Sequence, residues 1–415
     1  MTRWWNALLG LCILLAFSAT TSISHAYAND EPPSGLTAQG AVLMDMQSGQ
    51  VLFNQNMDAK LYPASITKIM TCLLALEKSD LDEMVTTSQL AREQEGNRVY
   101  LETGEQEPME QMLYGLMLNS GNDAAVAIAE HIGGSVEGFA KMMNDKAREL
   151  GAVNTHFVTP NGLHDDNHYT TPYDMALISK YAMQNEKFRE IVGTEYYKWD
   201  GQEWHTTLVN INPMLWNYDG ATGVKTGFTD QAQQTMVVTA KQGDRELLAV
   251  LMGVQNRQTI RLEATALLDY GFHSTRLQRL AKHGDVLFHQ EIAGIKVGGM
   301  LEEDLYYASP VSEDQHLTEK VSFRTASVVP PFAKGTKIGW VTFSNREGDI
   351  VASADLYADH GVFPPVEVDS GPSWIVTTLK IIGWVLLVLV VIVLLLRRRK
   401  RNRARRKAPT YPKYF

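Results

Sequence analysis

Cysteine is nearly absent from this sequence: there are two in 415 residues. Cys12 lies in an N-terminal apolar stretch that reads as a removable leader, so Cys72 is left alone and no intramolecular disulfide is expected. Cys72 sits among apolar residues and is expected to be buried core. No Cys/His spacing suits zinc, and there is neither a glycine-rich phosphate loop nor a dinucleotide fingerprint. No metal and no cofactor are therefore expected. There is no internal repeat and no low-complexity tract. Negative charge is missing from residues 397–415, which carry ten positive charges. Apolar runs long enough to span a bilayer are scarce as well, and the one that occurs stands immediately before that basic tail.

The two ends differ in kind. Arg3, the apolar residues 8–17 and Ala26-Tyr27-Ala28 have the layout of a secretory signal, which places the signal peptide at 1–28 and a mature start near Asn29. Ten apolar residues are too few to span a bilayer. Residues 374–396 contain one charge, Lys380, and would make a helix ~34 Å long, enough to cross the hydrocarbon core. Nine basic residues in the next eleven fix the expected orientation: a short cytoplasmic tail at 397–415 and everything before Trp374 outside.

Charge has to be read in pieces. The whole chain is −9, and setting aside the ten tail charges with Arg3 and Lys380 leaves −21 for the exported part. Such an ectodomain argues against nucleic acid as a partner and against adhesion to an anionic membrane surface.

The exported part is long enough for two domains. The first, residues 29–272, opens with a hairpin pattern, Ala41-Val42-Leu43-Met44 and Val51-Leu52-Phe53. Apolar residues then recur at helical spacing: Leu113, Leu116, Met117, Ala124, Ala125, Ile128 and Ala129, followed by Phe139, Met142, Met143 and Ala147. Strand patterns return at Met236-Val237-Val238-Thr239 and Leu247-Leu248-Ala249-Val250-Leu251, with a Gly243-Asp244 turn between them. Strands from both ends around a helical middle predict one antiparallel sheet carrying helices, an α/β (α+β) fold. Residues 273–362 read as a small all-β domain, with segments around 321–324, 338–343 and 350–352 broken by Pro, Gly and Asp. Residues 363–373 form a proline-containing linker into the transmembrane helix.

Three short motifs carry the chemistry. Ser65-Ile66-Thr67-Lys68 follows Pro63 at the start of a helical pattern, so Ser65 and Lys68 are neighbours one turn apart. Ser65 is the candidate nucleophile and Lys68 its base, which has to be neutral to accept a proton. Its ordinary pKa of ~10.4 must fall, through burial and a nearby cation, for which Lys225 is the natural choice. Ser120-Gly121-Asn122 sits between two helical patterns, where Ser120 can relay a proton and Asn122 can hydrogen-bond a substrate amide. Lys225-Thr226-Gly227 lies on a strand, with Lys225 and Thr226 suited to a terminal carboxylate. Gly227 allows a peptide backbone to lie close, and the N–H groups of Ser65 and Phe228 are the candidate oxyanion hole. A Ser-x-x-Lys alone occurs about once by chance in a chain this long, so the ordered trio, rather than any one motif, carries the argument. His156, His164 and His168 cluster in one segment, but no carboxylate or cysteine completes a metal set. A hydrogen-bonded loop near the cleft is the expectation there.

With these residues in hand, the chain closely resembles the D-alanyl-D-alanine carboxypeptidases, the low-molecular-mass penicillin-binding proteins of peptidase family S11. The likeness spans roughly residues 35–359. It rests on Pro63 to Lys68, Ser120 to Ala125, Asn161-Gly162-Leu163, Tyr169 to Ala176, Gly223 to Thr229 and Leu267 to Phe272. The resemblance implies a β-lactamase/transpeptidase-like catalytic domain with a helical subdomain, followed by a β-sandwich-like domain. It implies Ser65 as acyl-enzyme nucleophile, Lys68 as proton acceptor, Ser120 as a further active-site residue and Lys225 in substrate binding. The implied partners are peptidoglycan stem peptides as substrate, β-lactams as inhibitors, and the membrane through the C-terminal helix. The chain departs from the pattern in two places. Relatives often have Ala-Gly-x-Cys where this one has Ala232-Gln233-Gln234-Thr235, and they often attach by an amphipathic helix rather than a spanning one.

The rival readings are a β-lactamase, an endopeptidase acting on cross-links, and a non-catalytic peptidoglycan sensor. No Glu-x-x-Leu-Asn lies between Ser120 and Lys225 to activate a deacylating water, and a binding module has no need of a buried lysine pair. Arg257 and Arg261 are both candidates for holding the substrate carboxylate.

Overall fold

The computed structural model describes residues 31–312, 316–324, 328–363 and 374–405. The signal-peptide reading, most of the linker and the end of the basic tail lie outside the described residues.

The chain begins with β1 (Gly40–Asp45) and β2 (Val51–Gln55). Two short antiparallel pairs follow in the middle of the chain, β3 (Met84–Thr86) with β4 (Gln106–Pro108) and the hairpin β5 (Tyr196–Asp200) with β6 (His205–Val209). Then come β7 (Ala221–Thr229), β8 (Gln233–Gln242) and β9 (Arg245–Val254). The central sheet is antiparallel throughout, in the order β2-β1-β9-β8-β7. The predicted sheet from both chain ends is therefore present, closed by the β1–β9 pairing.

The apolar runs of β1, β8 and β9 are continuous because both faces of the sheet are covered. Side chains alternate between two cores at the period of a strand. Val42, Met44, Val237, Leu248 and Val250 face the helical layer. Ala41, Leu43, Met236, Val238, Ala249 and Leu251 face the helix Arg257–Ser274, which contributes Ile260, Ala264, Leu267 and Leu268. That helix is capped by Asn256, whose side chain accepts from the Thr259 N–H at 2.8 Å.

In the helical layer, Lys68–Lys78 is the central helix, with eight of its eleven residues buried. It packs on Met109–Leu118, Asn122–Gly133 and Pro172–Ala182. A helix apolar on nearly every side is an interior helix, and Cys72 lies fully buried within it. Burial pushes its thiol pKa up, so this cysteine is an inert core residue as expected.

The C-terminal region is all-β. It contains β10 (Thr275–Ala281), β11 (Val286–Ile292), β12 (Ile295–Met300), β13 (Leu305–Pro310), β14 (Thr318–Phe323), β15 (Lys337–Ser344) and β16 (Ile350–Ala358). Five of these form one sheet in the order β11-β12-β16-β15-β14, and β10 pairs with β13. The sequence shows three of these strands plainly. The first four are less legible because polar residues such as Arg276, Gln278 and Arg279 dilute the alternation. Beyond this region, Trp374–Arg403 is a helix long and apolar enough to cross a membrane, with none of it buried against the protein.

Candidate active site

Residues Ala64–Thr67 form a short 3-10 turn that runs directly into the helix Lys68–Lys78. The turn is pressed between the sheet and a loop of the helical layer. On the sheet side, Gly227 of β7 passes so near that a Cβ there would stand 2.6 Å from both the Ser65 nitrogen and Thr235 Oγ1. Thr235 in β8 donates its hydroxyl to the Pro63 carbonyl at 2.8 Å, tying the same turn to the sheet. On the opposite side is Gly162, at φ +82°, where a Cβ would meet the Ala64 carbonyl oxygen at 1.9 Å. Only glycine fits at either place. Gly227 was expected to make room for a substrate; the structure shows that it first makes room for the backbone of Ser65.

Lys68 is completely buried. Its Nζ lies 2.9 Å from Ser65 Oγ, 2.7 Å from Asn122 Oδ1 and 2.7 Å from the Asn161 carbonyl. Burial, then the charge of Lys225, bring its pKa well below the ordinary lysine value, and Asp123 opposes them. The amide and carbonyl oxygens can only accept, so the two hydrogens of a neutral amine go to Asn122 and Asn161. Its lone pair is then left to the Ser65 hydroxyl. The arrangement fits a base waiting beside a nucleophile.

Lys225 extends from β7 into the same interior and is 1 % exposed. Its Nζ donates to the Thr226 carbonyl at 3.0 Å, and burial lowers its pKa to about 7. Ser120 sits between the helices Met109–Leu118 and Asn122–Gly133 in a left-handed conformation, φ +61°. A non-glycine residue there is uncommon and is typical of a functional turn. Asn122 is more occupied than the sequence suggested. Its carbonyl accepts from Lys68 and its amide donates to the Glu95 carbonyl at 2.6 Å, so it holds the base in place and has one amide hydrogen left over.

Ser65, Ser120, Asn122, Thr226, Gly227 and Phe228 line one cleft of about 300 Å³. Arg257 lines it too. Arg261 does not; its Nη1 donates to Asn217 Oδ1 at 3.3 Å.

Three further residues support the site; the sequence placed His168 in a hydrogen-bonded loop near the cleft and gave Asp123 and Asn161 no individual role. His168 is 2 % exposed, and its Nδ1 accepts from the N–H groups of Val158 (2.9 Å) and Thr159 (3.1 Å). The proton is therefore on Nε2, which donates to Thr67 Oγ1 at 2.8 Å beside Lys68. Burial lowers its pKa to about 3, so the ring stays neutral. His156 and His164 do not join it: His156 Nδ1 is bonded to the Asn167 carbonyl and His164 stands edge-on to Tyr62. This is the hydrogen-bonded loop expected from the histidine cluster. Asp123, fully buried, accepts from the N–H groups of Val99, Leu101 and Ala124 and so fastens the lip of the cleft to the second motif. Asn161 presents its carbonyl to Lys68 while its side chain bridges Gln94 and Leu163. The available signals were an acid directly after the motif, for Asp123, and the Asn161-Gly162-Leu163 signature.

Residues 26–256 match the family model Peptidase S11, D-alanyl-D-alanine carboxypeptidase. The chain belongs to this family. Residues 278–362 match the C-terminal domain of penicillin-binding protein 5. Among curated relatives, D-alanyl-D-alanine carboxypeptidase DacF of Bacillus subtilis is 35 % identical over 335 residues, covering 77 % of this chain and 85 % of its own. DacA of Escherichia coli K12 is 30 % identical over 350 residues, covering 78 % and 85 %. Penicillin-binding protein 5 from Haemophilus influenzae superposes with a TM-score of 0.72 at 30 % identity, over 80 % of this chain and all of that one. The S11 assignment places the chain among serine carboxypeptidases of cell-wall synthesis.

Proposed function

We propose that Ser65, Lys68 and Ser120 are the catalytic residues of a serine-type D-Ala-D-Ala carboxypeptidase acting on peptidoglycan stem pentapeptides. The observation that carries this reading is Lys68 Nζ, buried at 2.9 Å from Ser65 Oγ, with two obligate acceptors taking its hydrogens. Ser65 Oγ attacks the carbonyl carbon between the two D-Ala residues as its proton passes to Lys68. The N–H groups of Ser65 and Phe228 receive the oxyanion, at the 3-10 turn where β7 crosses. Collapse breaks the C–N bond, and the proton returns by way of Ser120 to the leaving D-Ala amine. Water, deprotonated by Lys68, then cleaves the ester. Lys225, Thr226 and Arg257 attract the terminal carboxylate, while Asn122 and the edge of β7 align the peptide. A β-lactam would acylate Ser65 as a mimic of the dipeptide.

The proposed division of the chain is a catalytic domain at 29–272 and a β domain at 273–362, held outside the cell by the C-terminal helix with the basic tail inside. The fit of the apolar helix to a membrane supports this.

The test is D-Ala release from diacyl-L-Lys-D-Ala-D-Ala by the detergent-solubilised full chain, compared with Ser65→Ala. Release by the parent alone supports the reading. If neither releases D-Ala while labelled penicillin still attaches to the parent, the substrate assignment is wrong.

A further inference from the structure

The chain leaves the C-terminal β unit at Phe363 and is described again at Trp374, where the apolar helix begins. The intervening ten residues can reach at most about 40 Å when fully extended. One end of the β unit is thus held within about 40 Å of any membrane that the helix crosses.

Several segments converge on that end. Residues Phe332 and Val362 bridge each other, with the Phe332 N–H donating to the Val362 carbonyl at 3.0 Å. A Cβ on Gly361 would meet the Phe363 ring at 2.8 Å and the Ala333 Cα at 3.2 Å, so Phe363 lies against this same segment. β12 pairs with β16 at Gly299↔Ala358, and Asp359 and Gly298 exchange hydrogen bonds. Its start at Ile295 therefore runs past Asp359, toward the point of departure. Beneath them lies a small apolar core of Ile292, Val297, Val328, Phe332 and Val362.

The surface over this core is apolar where water should be. Phe363 is 63 % exposed, Val329 71 % and Ile295 40 %. Exposed Lys296 and Lys334 flank them, and so does exposed Arg324, whose N–H donates to the Ile338 carbonyl at the same end. Acids share this end: Glu291 lies opposite Lys296 in the ladder, Asp359 holds the Gly298 N–H and contacts His360, and Glu302 Oε1 would stand 3.6 Å from a Cβ on Gly335, next to Lys334. In an ectodomain of −21, an exposed apolar patch with three basic residues at its edge is a local exception. Apolar side chains beside Lys and Arg are what an interfacial lipid contact requires.

We propose that this end of the β unit rests on the phospholipid surface. Ile295, Val329 and Phe363 enter the boundary between headgroups and acyl chains, and Lys296 and Lys334 lie at phosphate level. This rests on the reading of Trp374–Arg403 as a membrane-spanning helix. The net charge disfavours general adhesion to anionic lipid, so contact is confined to this end.

The test uses the full chain in phosphatidylcholine–phosphatidylglycerol nanodiscs, with Cys12→Ser so that buried Cys72 is the one native cysteine left. Single cysteines carrying a polarity-sensitive fluorophore are placed at 295, 329, 363, 350 and 390, and quenching by doxyl-labelled lipid is read. Position 350 is the control, since Ile350 is 65 % exposed at the far end of the same unit. The expected result is at least two-fold quenching at 295, 329 and 390, with none at 350. Positions 295 and 329 decide the matter, because 363 adjoins the anchor in sequence. Quenching at 390 but not at 295 and 329 would overturn the contact while leaving the anchor intact. No quenching at 390 would overturn the spanning reading and the contact with it. Val329→Asp should abolish quenching at 295, and Ile295→Asp should abolish it at 329, with D-Ala release unchanged, which verifies that the protein remains folded.

Discussion

Lys225 is an amine kept in the interior with no carboxylate in ion-pair contact among the described residues, and burial brings its pKa to about 7. A lysine depressed in the folded state releases a proton that the unfolded chain retains up to ~10.4. Between about pH 7 and 10 the unfolded state therefore binds more protons, so stability rises with pH, by up to ~1.4 kcal/mol per unit for each such lysine. We predict that Lys225→Met flattens this slope and raises stability at pH 7, measured by urea unfolding at pH 7 and 9. The same change removes the neighbouring charge that lowers the Lys68 pKa, so the rising limb of acylation rate against pH should move to higher pH. An unmoved limb would refute Lys68 as the base that Lys225 tunes. Gln233 makes a simpler case. It stands at φ +56°, a left-handed conformation that favours glycine. Gln233→Gly should be more stable than Gln233→Ala by about 1 kcal/mol, by urea unfolding, since only alanine is strained there.

At the scale of elements, the site is a 3-10 turn held between β7 and the Asn161–Gly162 loop. Gly227→Ala would push β7 off the Ser65 nitrogen, and a displacement of about 1 Å there should cost on the order of 100-fold in D-Ala release. Thermal unfolding of this variant should still be cooperative. The β5–β6 hairpin is attached through acids. The Gln202 N–H is shared between Glu105 at 3.0 Å and Glu107 at 2.8 Å, and burial, reinforced by Glu105, brings the Glu107 pKa up to about 7. A raised carboxyl holds a proton that the unfolded chain gives up near 4.3, so this contribution to stability is lost as pH climbs to 7. Glu107→Gln should lessen the fall in Tm between pH 5.5 and 8.

These elements also show what sequence reading can reach. The central strands and the helix starts were legible because long apolar runs, caps and turns each act locally. Ser65, Lys68, Ser120 and Lys225 were legible because their motifs are short and ordered. The contacts of His168, Asp123 and Asn161 were not legible because their partners lie elsewhere along the chain: His168 meets Thr67 across 101 positions. Asn122 was legible as a site residue, but its grip on Lys68 was not, since that depends on how two helices pack. Strands β10 to β13 were weak signals because a small β unit buries little of each strand.

Taken whole, the molecule is an acidic catalytic unit, a β unit and an apolar helix in series. Chemistry confined to the cleft should survive loss of the anchor. Ending the chain at residue 373 should abolish membrane sedimentation while keeping D-Ala release within about two-fold, because no cleft residue lies beyond Ile260. A larger loss would mean that the anchor shapes the site. The most direct test of the central claim is the site of covalent attachment by a β-lactam. Full-length protein incubated with penicillin and then digested should carry the adduct on the peptide containing Ser65, and neither Ser65→Ala nor Lys68→Ala should be labelled at a comparable rate. An adduct on any other residue, or labelling of Ser65→Ala as fast as the parent, would contradict the account.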